Sequence, residues 1–277
     1  MKLLKTPPFV VLGTSPVPFN QRQWAIVTLA LVVLVFLFTP WPLYDKLWGI
    51  AYGICPQRPG HSLFFGDVQM PIEAREGGIF AGFLLGISYL IVLGREKAWK
   101  LPPLKIQAVL VGFIILMGLD GVNAFAFDLN LPTPYDPNLV MRSGTGLLAG
   151  IALAGLLLPI FNQTIWKQPN QVVSFSKWRE LAPALLLLAI FGVAGLSGWG
   201  PLLYPISISA IFGQVILMVS LGTMMAAILL RREGQVSNLT ELAPLILVGL
   251  VAVILLMSAT SAVRYSLFGP GSIPEFR

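Results

Sequence analysis

Thiol, imidazole and charge are all scarce in this sequence. A single cysteine, Cys55, excludes an internal disulfide and a thiol cluster for a soft metal; a single histidine, His61, excludes a histidine-rich metal site. Charged residues make up 11% of the chain, too few to cover a sizeable soluble domain. Hydrophobic residues stand in their place at 56%, with a mean hydropathy of +0.81. The net charge of +6 does not point to nucleic acid, because the basic residues sit in short loops between apolar runs, where they orient helices. The expected surroundings are membrane lipids, with no nucleic-acid partner.

The long apolar runs fall at 23–40, 77–94, 106–127, 137–161, 181–198, 206–230 and 242–263. Each can cross a hydrocarbon layer of about 30 Å at about 1.5 Å per residue. They predict an all-α, polytopic transmembrane helical bundle of about seven spans, with residues 1–277 forming a single membrane domain. Alternate loops differ in charge. One set carries Lys2, Lys5, Arg22, Arg95, Lys97, Lys100, Lys105, Lys167, Lys177, Arg179, Arg231 and Arg232 against Glu96, Glu180, Glu233 and Glu241. The other carries Lys46, Arg58, Arg75, Arg142, Arg264 and Arg277 against Asp45, Asp67, Glu73, Glu76, Asp128, Asp136 and Glu275. The positive-inside rule then puts the N-terminus inside and the C-terminus outside, in a multi-pass protein of the cell membrane. The first span follows a Pro-rich arm and lacks a small-residue cleavage site after it, which reads as an uncleaved anchor.

Local chemistry marks several helix starts. Asp136-Pro137 suits the opening of the fourth span, since the aspartate can accept an orphan amide and the proline lacks one; Pro71 is expected to open the second in the same way. Glu-Leu-Ala-Pro occurs at 180–183 and again at 241–244. It reads either as an internal repeat or, more economically, as two helices sharing one start chemistry. Gly78, Gly82 and Gly86 recur every fourth residue, as do Gly146, Gly150 and Ala154, so the second and fourth spans are expected to pack backbone to backbone at the centre. The last three spans, 181–263, read as additional packing or lipid-facing helices without chemistry.

Polar residues that need an explanation gather at one end. Asp120 lies about 10 Å and Arg142 about 7.5 Å below that surface, at about 1.5 Å per residue. Isolated charge is costly there, so the two are expected to pair across the third and fourth spans, with Asn123 and Thr145 continuing each polar stripe. The functional alternative leaves Arg142 to bind an anionic headgroup or substrate. His61 lies in a turn after Pro59-Gly60; with Asp67, Glu73 and Glu76 it could make a weak mixed site for a divalent ion. Glu73 and Glu76, three apart, also suit a general acid and base, with Arg75 between them neutralising the cluster.

The ordered set Cys55-Pro-Gln57, His61-Ser62, Pro71-Ile-Glu73-Ala-Arg75-Glu76-Gly-Gly-Ile-Phe80-Ala-Gly82, Leu119-Asp120-Gly121 and Asn138-Leu-Val-Met-Arg142-Ser-Gly-Thr145-Gly146 resembles an uncharacterised prokaryotic integral membrane family, domain of unknown function 2085. The resemblance covers roughly residues 45–155. It implies a cysteine and histidine ligand set in the family, of which this chain keeps Cys55 and has Pro56, Glu73 and Glu76 at the other positions. A tightly bound transition metal is therefore not expected, and no cofactor is predicted.

The candidate polar site comprises His61, Glu73, Arg75, Glu76, Asp120, Asn123, Arg142 and Thr145. With no complete nucleophile or cofactor constellation, the favoured reading is a noncatalytic or accessory subunit of a membrane complex, partnered by other membrane proteins. The alternative is a membrane-embedded hydrolase or transferase acting on a lipid-linked anion at the outer face. A small-solute transporter is third, since the conspicuous glycines follow a packing period.

Overall fold

The computed structural model describes residues 19–168 and 170–271. Lys2, Lys5, Glu275 and Arg277, and the Pro-rich arm, lie outside the described residues. The elements run α1 (Phe19–Phe38), α2 (Leu43–Tyr52), a 3₁₀ turn (Pro59–His61), β1 (Ser62–Phe65), β2 (Val68–Glu73), α3 (Ala74–Val92), α4 (Leu104–Asp128), α5 (Leu139–Ile165), α6 (Trp178–Leu196), α7 (Leu203–Leu229) and α8 (Leu239–Phe268). Seven of the described helices, all but the short α2, are long and apolar enough to cross a membrane. They coincide with the seven apolar runs of the sequence.

The centre of the bundle is a glycine contact. A Cβ on Gly82 would meet the Leu147 carbonyl, one on Gly146 the Arg75 carbonyl, and one on Gly150 the Ile79 carbonyl. Removing those side chains lets α3 and α5 approach at backbone distance, where dispersion and weak contacts hold helices together without help from water. α7 joins the pair at Gly213, which faces the Phe80 carbonyl, and α8 joins α7 through Gly222 and Gly249. The two stripes expected to be central are central; the Gly222/Gly249 contact is one the sequence reading assigned no role. α1 packs along α8, where Arg22 and Glu241 pair at 3.1 Å.

Between α1 and α3 the chain is more ordered than a surface loop. α2 buries Leu47 and Ala51, and β1 and β2 form an antiparallel hairpin with Phe65 opposite Val68. Its two-residue turn has Gly66 at φ +60° and Asp67 at negative φ, the sign pattern of a type II′ turn. The Gly66 amide donates to the Gly198 carbonyl at 2.9 Å, which ties the hairpin tip to the loop after α6.

Two expected helix starts are corrected, and a third reading is explained. Pro71 lies inside β2, where the register shifts opposite Ser62–Phe64 and no ladder N–H is needed from it, and α3 begins at Ala74. Asp136-Pro137 precedes the start of α5: Asn138 is the cap, its Oδ1 accepting from the Met141 amide at 2.9 Å. Glu180 and Glu241 each sit in the third helical position, accepting from the Ser176 amide at 2.7 Å and the Ser237 amide at 2.8 Å. That bond from the glutamate back to a serine amide ahead of the helix is the shared start chemistry of the two Glu-Leu-Ala-Pro segments, and in α8 the Asn238 side chain also accepts from the Glu241 amide at 3.1 Å.

Candidate functional site

The hairpin closes one end of the bundle through a set of buried polar contacts. Gln57, at φ +59°, buries its amide and donates to the carbonyls of Trp48 at 3.0 Å and Pro71 at 2.8 Å. Gln69 returns a bond to the Gln57 carbonyl at 2.8 Å and another to Ser62 Oγ at 3.0 Å. The carbonyls of Trp48, Gln57 and Pro71 are thereby satisfied away from water, which ties together the segments that carry Arg58, His61 and Glu73.

Glu73 is 3% exposed and receives three groups. Arg58 donates from its backbone amide at 3.0 Å and from Nε at 3.2 Å, and His61 Nδ1 lies 3.3 Å from Oε2. Burial pushes the Glu73 carboxyl up, but the bonds from His61 and Arg58 and the guanidinium charge outweigh it and hold the group down at about 2. Arg58 also reaches Asp128 at the end of α4, Nη1 to Oδ2 at 3.0 Å. Neither Arg58 nor Asp128 was among the site residues expected from sequence.

A second ion pair corrects the expected partnership of Asp120. The aspartate side chain is 1% exposed, and its partner is Arg75 of α3, at 2.5 Å from Nη2 and 3.2 Å from Nε. Tyr135 donates to it at 2.8 Å and Thr145 at 3.4 Å, while Asn123 donates to the Tyr135 carbonyl at 3.0 Å. No ion pair joins Asp120 to Arg142 among the described residues. The depth argument brought the right helices together, but Thr145, one turn further along α5, is the residue that faces Asp120.

Arg142 instead lies against His61. Its Nη1 is 3.2 Å from Nδ1 and its Nη2 is 3.4 Å from Nε2. These are hydrogen-bond contacts between the guanidinium and the ring nitrogens, whose donor and acceptor roles follow the imidazole tautomer. Arg142 is 5% exposed, and no carboxylate of the described residues forms an ion pair with it.

Cys55 Sγ accepts from the Glu73 amide at 3.2 Å, and burial, reinforced by the charges of Glu76 and Glu73, pushes its thiol up. That makes it a poor nucleophile at neutral pH. Glu76 is half-buried near this thiol, with its Oε2 shielded from solvent and lacking a hydrogen-bond partner. Positions 55, 73 and 76 thus lie close together, as one thiol and two carboxylates. Among the described residues no group of three or more His, Cys, Asp or Glu is arranged to hold a metal ion.

One further functional-looking residue was read from sequence as lying beyond the last span. Arg264 lies within α8, 6% exposed, and donates to the carbonyls of Tyr52 at 2.8 Å, Cys55 at 2.5 Å and Pro56 at 2.9 Å. Its guanidinium carbon sits 3.9 Å from the Tyr52 ring centre. A lone arginine at the end of a long apolar helix was the available signal, since burying it requires acceptors on a neighbour.

Apolar spanning helices sealed at one end by a charged, hydrogen-bonded hairpin define a polytopic helical membrane protein. Residues 55–156 match the family model described as predicted membrane protein (DUF2085), a segment that contains all eight candidate site residues. An uncharacterized protein of Methanocaldococcus jannaschii is 28% identical over 122 residues, which are 44% of this chain and 72% of that protein. No solved structure gives a significant match.

Proposed function

We propose that this chain is a noncatalytic component of a membrane assembly, held in the plasma membrane with its hairpin end outward. The observation that carries the reading is the engagement of the carboxylates best placed for chemistry: Glu73 is held by Arg58 and His61, and Asp120 by Arg75. A carboxylate fixed by a guanidinium and kept at about 2, as Glu73 is, is a weak base at neutral pH. The same contacts join α3, α4 and the hairpin, as expected of a structural clamp. The orientation, with the N-terminus in the cytoplasm, is supported by the basic loops around Arg95, Lys100, Lys177 and Arg231, all at the end away from the hairpin. A cysteine introduced at Lys100 should react with an impermeant thiol reagent only after the cells are opened.

The enzymatic alternative, a hydrolase or transferase acting on a lipid-linked anion, draws on Glu76, whose Oε2 has no partner, and on Arg142. The transporter reading gains no support from α3 and α5, which run as unbroken helices. Purification in native lipid patches separates the first two. A second membrane protein retained in fixed ratio is expected; turnover of a lipid-linked phosphate by the isolated chain, abolished by Glu76→Gln without loss of the fold, would establish the enzyme instead.

A further inference from the structure

The end of the bundle away from the hairpin carries its charge on a fixed surface. Segments 97–105 and 170–179, which lead into α4 and α6, hold Lys97, Lys100, Lys105, Lys177 and Arg179 and no acid. All five are exposed, and among the described residues none of them forms an ion pair. The adjacent Arg95 and Glu180 are taken by each other at 2.8 Å. Orienting a helix in the membrane needs only basic residues in a loop, ordered or not.

Here the loops are ordered. The two segments run side by side in the same direction, bridged at Lys100 and Val173. The amides of Trp99 and Lys100 donate to the Val172 carbonyl at 2.9 and 3.0 Å, and the Ser174 amide donates to the Lys100 carbonyl at 3.3 Å. α5 anchors both. Asn162 donates to the Ala98 carbonyl at 2.7 Å and Gln163 to the Trp99 carbonyl at 2.6 Å, while Ser174 Oγ donates to the Gly155 carbonyl at 2.7 Å. A surface held this way has met its ordering cost before a ligand arrives.

The charges also sit against the helices that carry them. Lys177 caps α6 and Arg179 is its second residue, and Lys105 is the second residue of α4. The start of a helix is its positive end, so cations there are disfavoured until an anion joins them. Apolar side chains stand among these cations: Leu101, Leu104 and Trp178 are 39%, 79% and 50% exposed. An acidic soluble partner would answer the charges alone. A phospholipid answers both, with a phosphate for the cations and acyl chains for the leucines and the indole, as at the boundary of headgroups and hydrocarbon.

We propose that segments 97–105 and 170–179 form a seat for an anionic phospholipid, its phosphate held by Lys100, Lys105, Lys177 and Arg179 and its chains lying along Leu101, Leu104 and Trp178. The seat is independent of the clamp at the hairpin end and of the noncatalytic reading.

The test places the full chain in phosphatidylcholine nanodiscs with increasing phosphatidylglycerol. Retained lipid by native mass spectrometry and the thermal midpoint are the readouts. Wild type should retain phosphatidylglycerol in preference to phosphatidylcholine and gain in midpoint as its fraction rises. K105Q/R179Q should need at least about fivefold more phosphatidylglycerol for the same retention, as loss of two basic residues at an anionic surface implies. K100Q/K177Q should behave alike and serves if the first variant fails to fold. K167Q/R231Q removes the same charge from exposed positions at the same end but outside the two segments, and should respond as wild type. An equal loss in K167Q/R231Q would assign the preference to diffuse charge and overturn the seat. No preference in wild type, a wild-type response in K105Q/R179Q or K100Q/K177Q, or a rise in midpoint with soluble polyglutamate equal to that with phosphatidylglycerol would overturn it too, the last by assigning an acidic protein partner.

Discussion

α3 with α5, and α1 with α8, are two helix pairs that use the membrane in opposite ways. In the first pair 44% and 56% of the spanning window is buried within the protein; in the second the figures are 6% and 22%. α3 and α5 touch through carbonyls and glycines and end in a hydrogen-bonded hairpin, whereas α1 and α8 turn large residues such as Val33, Val35, Leu255 and Leu256 outward. Length and hydrophobicity suffice to make a spanning helix. Choosing one neighbour at one rotation takes small residues and polar contacts, because lipid is as apolar as leucine. The comparison predicts that sensitivity to mutation concentrates where backbones and charges meet.

The largest effect is expected at the glycine contact. Gly150→Leu forces a branched side chain into the Ile79 carbonyl and should prevent recovery of folded, monodisperse protein, while the same change at Gly112, where a Cβ meets nothing, should be tolerated. Next comes the clamp. Arg75→Ala leaves Asp120 buried without a counter-charge and should lower stability in a detergent unfolding titration by about 3 kcal/mol.

The Glu73 pair should show itself in pH dependence. Its carboxyl is held at about 2 against an ordinary 4.5, so the stability it contributes is fully present above the ordinary range and is lost as pH falls through 4.5 toward 2. Unfolding titrations across that window should show the loss in wild type and a shallower dependence in Glu73→Gln. Smallest of all, Leu255→Ala, at a position 65% exposed on α8, should shift stability by under about 0.5 kcal/mol. An effect at Leu255 comparable with that at Arg75 would erase the distinction between the two helix pairs.

The spans were legible because hydropathy needs only a window of residues, and the central pair because a fourfold glycine spacing survives in one dimension. The hairpin was less so. Phe65-Gly66-Asp67-Val68 is a turn signal, but the bulge around Leu63 breaks the alternation that would have revealed β1 and β2. In the site, the depths of Asp120 on α4 and Arg142 on α5 were readable from rise per residue, and the alternation of the spans put the start of α3 at the same end. Rotation about the helix axes was not readable, and it decides that Asp120 meets Arg75 and Thr145 while Arg142 meets His61. Arg264 was missed because an apolar window ends before it, although its helix continues to Phe268 and its acceptors lie in the chain around Tyr52 and Cys55.

The central claim is that the charged end is a clamp in which Asp120 is held by Arg75 and not by Arg142, and a pair of double-mutant cycles tests it most directly. Arg75→Ala with Asp120→Ala should give a coupling energy of at least about 1.5 kcal/mol, whereas Arg142→Ala with Asp120→Ala should be additive within about 0.5 kcal/mol. Strong coupling between Asp120 and Arg142, with additivity between Asp120 and Arg75, would contradict the account.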